Sequence, residues 1–386
     1  MEALAEALVE PDTAGKPGAL RIRATEWPDP QFCDVGIRGD LAEFAGARYE
    51  EEETFTGALS EQRFVDVVAA VMHRRMATDP TVVVLGEDIH RLNGGTNGAT
   101  KGLAAAYPDR ILGTPISENA FVGLAGGLAM DHRFRPVVEL MYADFLWVAA
   151  DQIFNQIAKA RHMFGGEAPM PVVLRSKVAI GTGYGSQHSM DPAGIVATSA
   201  GWRIAAPSTP FDYVGIMNSA LRCEDPVLII EHVDLYGSRG PAPDDDLDYC
   251  IDLGRAALRR TGSDLTVLTY LSMVNVCLQA ANESAVDCDV VDLRWLDRAS
   301  VDWETIGASI RKTNTVLIVE QGTRGTSYGG WLADEIQRRF FDWLDAPVQR
   351  VTGAESSPTI SLVLERAAYA GKADVAAAMT AAVGSR

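Results

Sequence analysis

From residue 61 onward, short β-branched apolar runs alternate with stretches of helical spacing, and this alternation constrains the fold more than any other feature. The runs are TVVVLGED (81–88), PVVEL (136–140), PVVLRS (171–176) and DPVLIIEH (225–232). Between them, Phe64, Val67, Val68 and Val71 recur at one face of a helix, a long helix is expected from about Ala143 to Met163, and Ser208-Thr209-Pro210 offers an N-cap and a first-turn proline for a helix to about Arg222. Near-continuous apolar strands separated by helices imply a mainly parallel sheet covered on both faces. A Pro- and Asp-rich stretch, GSRGPAPDDDLDY (237–249), breaks the pattern. A second series follows: DLTVLTYLS (264–272), CDVVDLRWL (288–296), NTVLIVEQ (314–321) and APVQRVTG (346–353), with Trp331, Leu332, Ile336, Phe340 and Trp343 on one expected helix face. The expected organisation is an arm over 1–59, an α/β domain over 60–240 and a smaller α/β domain over 248–386, the arm ending in the acidic run Glu50 to Glu53.

Charge narrows the range of partners. With 34 basic against 52 acidic residues the formal charge is -18, which repels phosphate backbones and anionic membranes, so neither nucleic acid nor a membrane is an expected partner. Five widely spaced cysteines without a CxxC pair point to reduced thiols, and no basic leader or long apolar run is evident, so a cytoplasmic location is expected.

In open parallel sheets ligands bind beyond the carboxyl ends of the strands. Four segments bring polar or small residues there: Gly86-Glu87-Asp88, the Gly-rich GGTNGATKG (94–102), TPISEN (114–119) and GTGYGSQHS (181–189). Glu118 opens ENAFVGLAGGLAM, in which Phe121, Leu124, Ala125 and Leu128 form the expected buried stripe. By default an acid at a helix start is a dipole partner; held against an apolar wall, it shares a proton with a heterocycle instead. His188, in a glycine-dense loop, serves either as an ordinary hydrogen-bonded side chain or as an acid, base or anion contact. The Gly-rich 94–102 segment lacks a nucleotide-binding pattern and reads better as a surface loop, and no GDG motif for a magnesium diphosphate is present.

GTPISENAFVGLAGGLAM, RPVVELMYADF, AADQIFNQIAKARHMFGG, PVVLRS, GSQHS, APSTPFDYVGI, DPVLIIEH, VVDLRWL, KTNTVLIVEQG and DAPVQRVTG, collinear over about 60–355, resemble the β subunits of 2-oxo acid dehydrogenase E1 components. The resemblance implies a transketolase-like fold, with a pyrimidine-binding domain and a transketolase C-terminal domain. It implies an oxidoreductase that decarboxylates a small 2-oxo acid with thiamine diphosphate and passes the acyl group to a lipoylated E2 protein. This chain would hold the aminopyrimidine while an α-type chain holds magnesium and diphosphate, in an α2β2 heterotetramer. Carried onto this sequence, Glu118 meets the pyrimidine ring nitrogen, Phe145 packs on the ring, Ile116 adds apolar contact, and His188 meets substrate carboxylate or the lipoyl group. A potassium ion held by the main-chain carbonyls of Val172, Ala220, Cys223 and Asp225 is also implied, with a plain turn as the alternative. Met190 after Ser189, YLSMV (270–274) and SSPTIS (356–361) depart from the family pattern and leave substrate and acceptor open. EWPDPQFCDV (26–35) resembles the C-terminal end of E1 α chains. The alternatives are a thiamine diphosphate-dependent carboligase and, in another class, a non-catalytic stabilising paralogue.

Overall fold

The computed structural model describes residues 42–164, 168–325 and 327–384; the 26–35 segment and Cys33 lie outside the described residues. The chain enters on β1 (Leu59–Arg63), which pairs antiparallel with β8 (Arg239–Pro243). Between these two lies a six-stranded sheet of β2 (Val82–Glu87), β3 (Ile111–Thr114), β4 (Arg135–Leu140), β5 (Val173–Val178), β6 (Arg203–Ala205) and β7 (Val227–His232). Its order is β3-β2-β4-β5-β7-β6 and every pairing is parallel. Every residue of β2, β5 and β7 is buried, as near-continuous apolar runs require.

Three helices matter most around this sheet. α1 (Phe64–Thr78) buries Phe64, Val67, Val68 and Val71 as expected. α2 (Glu118–Met130) buries Glu118, Phe121, Val122, Ala125, Gly126 and Ala129, while Leu124 is 49% exposed, so the stripe is rotated from the expected one. The reason is close packing through glycine: a Cβ at Gly126 would stand 3.2 Å from Ile157 and one at Gly123 would stand 3.0 Å from Gln152. α3 (Pro210–Arg222) starts where the sequence predicts, with the Asp212 amide donating to the Thr209 hydroxyl at 3.1 Å.

The long helix expected over Ala143 to Met163 is broken into a 3-10 turn (Ala143–Trp147), a π-helical stretch (Asp151–Ile157) and an α-helical end (Ala158–Met163). Donors from a neighbouring segment draw its carbonyls out of register: the Trp202 indole donates to Ile153 O at 2.9 Å and the Ser199 hydroxyl to Phe154 O at 3.3 Å.

The second sheet contains β9 (Ala257–Arg260), β10 (Leu265–Thr269), β11 (Cys288–Asp292), β12 (Val316–Thr323) and β13 (Gln349–Gly353), in the order β13-β12-β10-β11-β9 with only β9 antiparallel. α4 (Met273–Glu283), α5 (Trp303–Thr313), α6 (Tyr328–Phe340), α7 (Leu362–Ala368) and α8 (Lys372–Val383) complete it. α6 buries Leu332, Ile336 and Phe340, but Trp343 lies in a turn beyond the helix and is half exposed.

The two sheets are joined by paired backbone and buried charge. Ala206 N donates to Arg294 O and Leu296 N to Ile204 O, both at 2.8 Å. Asp212 takes the guanidinium groups of Arg259 and Arg294. Residues 42–58, expected to be part of a loose arm, reinforce this seam. Phe55 packs on Phe211 and Tyr249 with ring centroids 5.4 and 5.7 Å away, and the Glu51 carboxylate receives Arg294 at 2.7 Å. An acidic run on an arm is solvated by default, but here Glu51 adds a second carboxylate to the buried Arg294 beside Asp212.

Candidate active site at the carboxyl ends of the parallel strands

Four adjoining strands carry the predicted residues to one edge. In sheet order, β3 leads to Ile116 and Glu118, β2 ends on Glu87, β4 leads to Tyr142 and Phe145, and β5 leads to His188. The parallel topology therefore brings residues distant in sequence to adjacent strand ends.

Glu118 is the first residue of α2 and is 6% exposed. Its neighbour Glu87 is 8% exposed, and the Glu87 Oε1 atom is buried without a hydrogen-bond partner. Burial first, and then the Glu118 carboxylate, hold the Glu87 pKa above the usual carboxylate range, while the Ser117 amide pulls it back. Two close buried carboxyl groups favour a state in which one carries a proton. Such a pair donates to or accepts from a ring nitrogen as required. Sequence reasoning placed Glu87 at a strand end but gave it no role; the available signal was an acid ending a fully buried strand. The preceding Gly86 has φ 156, and a Cβ there would stand 2.7 Å from Glu139 O, so only glycine lets β2 turn beside β4.

On the other side of the edge His188 is half-buried in an aromatic cluster. Its ring centroid lies 4.4 Å from Tyr142, 5.6 Å from Phe145 and 5.8 Å from Tyr184. The structure thus brings His188 and Phe145 together. The His188 loop is fixed at several points: Ala179 N donates to His188 O at 2.8 Å, Met190 N to Asp144 Oδ2 at 3.1 Å, Gly183 N to Glu365 Oε2 at 2.7 Å, and the Ser186 hydroxyl to Pro358 O at 2.7 Å. Burial raises the Asp144 pKa, opposed chiefly by the Met190 amide.

Beneath the edge lies a buried ionic floor. Arg175 meets Glu231 at 2.8 Å and Glu139 at 3.3 Å, and Lys177 meets Glu139 at 3.4 Å. Lys177 also donates to the Thr96 hydroxyl at 3.0 Å and stands 5.2 Å from the Tyr142 ring centroid. The Gly-rich 94–102 segment, read as a surface loop, is partly buried over this floor through Gly94, Gly95, Ala99 and Thr100. The Thr100 hydroxyl donates to Ile89 O at 2.9 Å, so the segment acts as a cover.

The edge is open on one side. Ile116 is 84% exposed, and Leu124, Trp147 and Val148 on the elements that carry Glu118 and Phe145 are also exposed apolar side chains. Apolar groups at this density on a site's rim mark a surface that something covers. The remaining predicted positions lie away from this edge. Val172 O accepts from Val227 N at 2.9 Å, Cys223 O accepts from the Arg135 guanidinium at 3.2 Å, and the Asp225 carboxylate is engaged by Arg161 and Arg203. Ala220 lies near the end of α3, two residues before its last residue Arg222.

The transketolase pyrimidine-binding domain family matches residues 60–238 and the transketolase C-terminal domain family matches residues 254–375. The β subunit of acetoin:2,6-dichlorophenolindophenol oxidoreductase from Cupriavidus necator is 37% identical over 317 residues, which are 79% of this chain and 92% of that protein. The pyruvate dehydrogenase E1 component subunit beta of Bacillus subtilis is 34% identical over 303 residues, covering 77% of this chain and 91% of its own. The mitochondrial pyruvate dehydrogenase E1 component subunit beta-1 of Arabidopsis thaliana is 33% identical over 321 residues, covering 82% and 87%. Among solved structures, a split-gene transketolase described as an inactive β4 tetramer superimposes with a TM-score of 0.67 at 21% identity, covering 83% of this chain and 98% of that one, a likeness of fold.

Proposed function

The chain belongs to the β-subunit family of 2-oxo acid dehydrogenase E1 components, and we propose that it supplies the pyrimidine-binding half of a thiamine diphosphate site that an α-type subunit completes. Residues 60–240 form the half-site and residues 248–386 the second domain in this reading. The carrying observation is the buried Glu118–Glu87 pair at the same strand edge as Phe145 and His188. The residues suit an aminopyrimidine: an orphaned buried carboxyl oxygen on Glu87, a second buried carboxylate on Glu118, and apolar faces on Phe145 and Ile116. Bound there, thiamine diphosphate would supply the electron sink that lets a 2-oxo acid lose its carboxyl group as carbon dioxide.

Each residue then has a defined task. Glu118 hydrogen-bonds the ring nitrogen, Glu87 stands beside it with its own protonated form favoured by burial, and Phe145 and Ile116 keep water from the ring. His188, in contact with Phe145 and Tyr142, meets the substrate carboxylate or the incoming acceptor. The rim that carries Ile116, Leu124, Trp147 and Val148 is the face for the α-type subunit, in an α2β2 assembly, and magnesium and diphosphate belong to that partner. The acyl acceptor is a lipoyl group on an E2 protein. A cytoplasmic location accords with Cys223, Cys250, Cys277 and Cys288, all buried free thiols. Potassium at the carbonyls of Val172, Ala220, Cys223 and Asp225 would share the Val172 oxygen with Val227 N and the Cys223 oxygen with the Arg135 cation; a thermal shift specific to potassium over sodium tests that part alone.

The test is Glu118→Gln in the chain combined with its α-type partner. The variant assembles normally and its turnover of a 2-oxo acid falls by about 100-fold or more, the scale of losing a positioned acid–base group. Turnover within a few-fold of the parent would remove Glu118 from the mechanism.

A further inference from the structure

We infer that a second cleft, between the end of β7 and the start of α4, binds a small monocarboxylate. Its volume is about 450 Å³, enough for a small organic ligand. His232 ends β7, lines the cleft and is 1% exposed. The Asp234 amide donates to His232 Nδ1 at 3.1 Å, which fixes the proton of the neutral ring on Nε2. That Nε2 is buried with no hydrogen-bond partner, and burial keeps the ring neutral. Protein interiors rarely leave such a donor unanswered, and the side chain that carries it forms part of the wall of an open cavity.

Across the cleft, Ser272, Met273, Asn275 and Val276 present the first turn of α4. Ser272 occupies the N-cap, but its hydroxyl donates to Gln321 Oε1 at 3.0 Å and does not cap the helix. The positive end of an eleven-residue helix therefore faces the same space as the His232 donor. Arg366 supplies a guanidinium to the lining and Asp234 a carboxylate. In the lining one cation stands against one anion, and the buried Glu365 carboxylate behind them adds negative charge, so even with a neutral imidazole and a helix N-terminus the cleft suits no more than a single negative charge and disfavours a phosphate dianion. Ile180, Leu235 and Val276 line the remainder, which leaves room for a short aliphatic tail.

The cleft adjoins the active-site edge. Ile180 and Gly181 lie in the approach to the His188 loop, and Glu365, next to Arg366 on α7, holds Gly183 N at 2.7 Å. A carboxylate in the cleft would therefore brace α7 and the loop together.

Binding tests this without turnover, so it stands or falls apart from the proposed activity. Isothermal titration calorimetry of the full-length protein at fixed ionic strength would use acetate and isobutyrate as probes, with inorganic phosphate and chloride as comparators. The carboxylates bind the parent protein and His188→Ala alike. Affinity falls about tenfold in His232→Leu and in Arg366→Gln, the scale of losing one hydrogen bond to a charged group. His232→Gln, which keeps an N–H donor, retains binding. Arg366 is exposed, so its variant reports even if His232→Leu fails to fold. Equal affinity in the parent and both variants, or phosphate and chloride binding as tightly as acetate, would overturn the assignment and leave the cleft to water.

Discussion

Two carboxyl groups on neighbouring strand ends form the smallest unit of this account. Glu87 holds its proton more tightly folded than unfolded, because burial and Glu118 both disfavour its charge. The sign follows directly: this group adds stability as pH falls from its raised folded value toward the ordinary glutamate value of about 4.3, and costs stability when ionised at neutral pH. Glu87→Gln is therefore expected to raise the melting temperature of the isolated chain more at pH 7 than at pH 5, read from melts at both pH values. Parallel shifts at the two pH values would mean that the Glu87 pKa is not raised by its surroundings. Glu118 and His188 stand out in the sequence because each sits in a segment of small and polar residues beyond a strand end, whereas Phe145 is pointed to by the family resemblance alone. The Glu87 coupling was not legible, because it arises from the burial of two acids that only the sheet brings together.

At the level of elements, legibility followed burial except at β13, which the sequence marks although only its Gly353 is buried. β2, β4, β5, β7, β10, β11 and β12 are enclosed and announce themselves as β-branched runs, whereas β3, β6 and β9 are only three or four residues long. The ribbon of β1 and β8 is polar on one strand and carries two prolines on the other, which an antiparallel edge tolerates and a central strand does not. The π-helical stretch was hidden because the donors that create it, Trp202 and Ser199, come from elsewhere in the chain. The His188 loop shows how tightly elements from the two domains fit. Gly185 has φ +83, and a Cβ there would lie 2.7 Å from the Ile360 side chain. Gly185→Ala is expected to cost about 1–3 kcal/mol and to lower turnover. Adding Ile360→Ala, at an 82% exposed position, restores part of the loss by removing the clash while leaving the backbone strain. If the double variant were no better than the single, the contact with Ile360 would not be what positions the loop.

For the whole molecule, the seam between the two sheets is a buried charge network. The guanidinium groups of Arg259 and Arg294 hold the Asp212 carboxyl below the usual carboxylate range despite burial, and Asp292 shares Arg259 at 3.1 Å. Removing the shared anion leaves Arg259 to Asp292 and Arg294 to Glu51, so two buried cations share less negative charge and Asp212→Ala is expected to cost about 3 kcal/mol in chemical denaturation. Because the folded pKa is lowered, the stability Asp212 contributes is present above the ordinary aspartate value and is lost as pH falls through the folded one. A cost below 1 kcal/mol would mean that the network is slack. This seam joins the two sheets, and the strand edge stays open where Ile116 stands 84% exposed, as half of a shared site would. The most direct measurement is carbon dioxide release from a 2-oxo acid, with thiamine diphosphate and magnesium present, as an α-type chain is titrated into this one. The account predicts no turnover at zero partner and a rise that saturates at one partner per chain; steady turnover by this chain alone would contradict it.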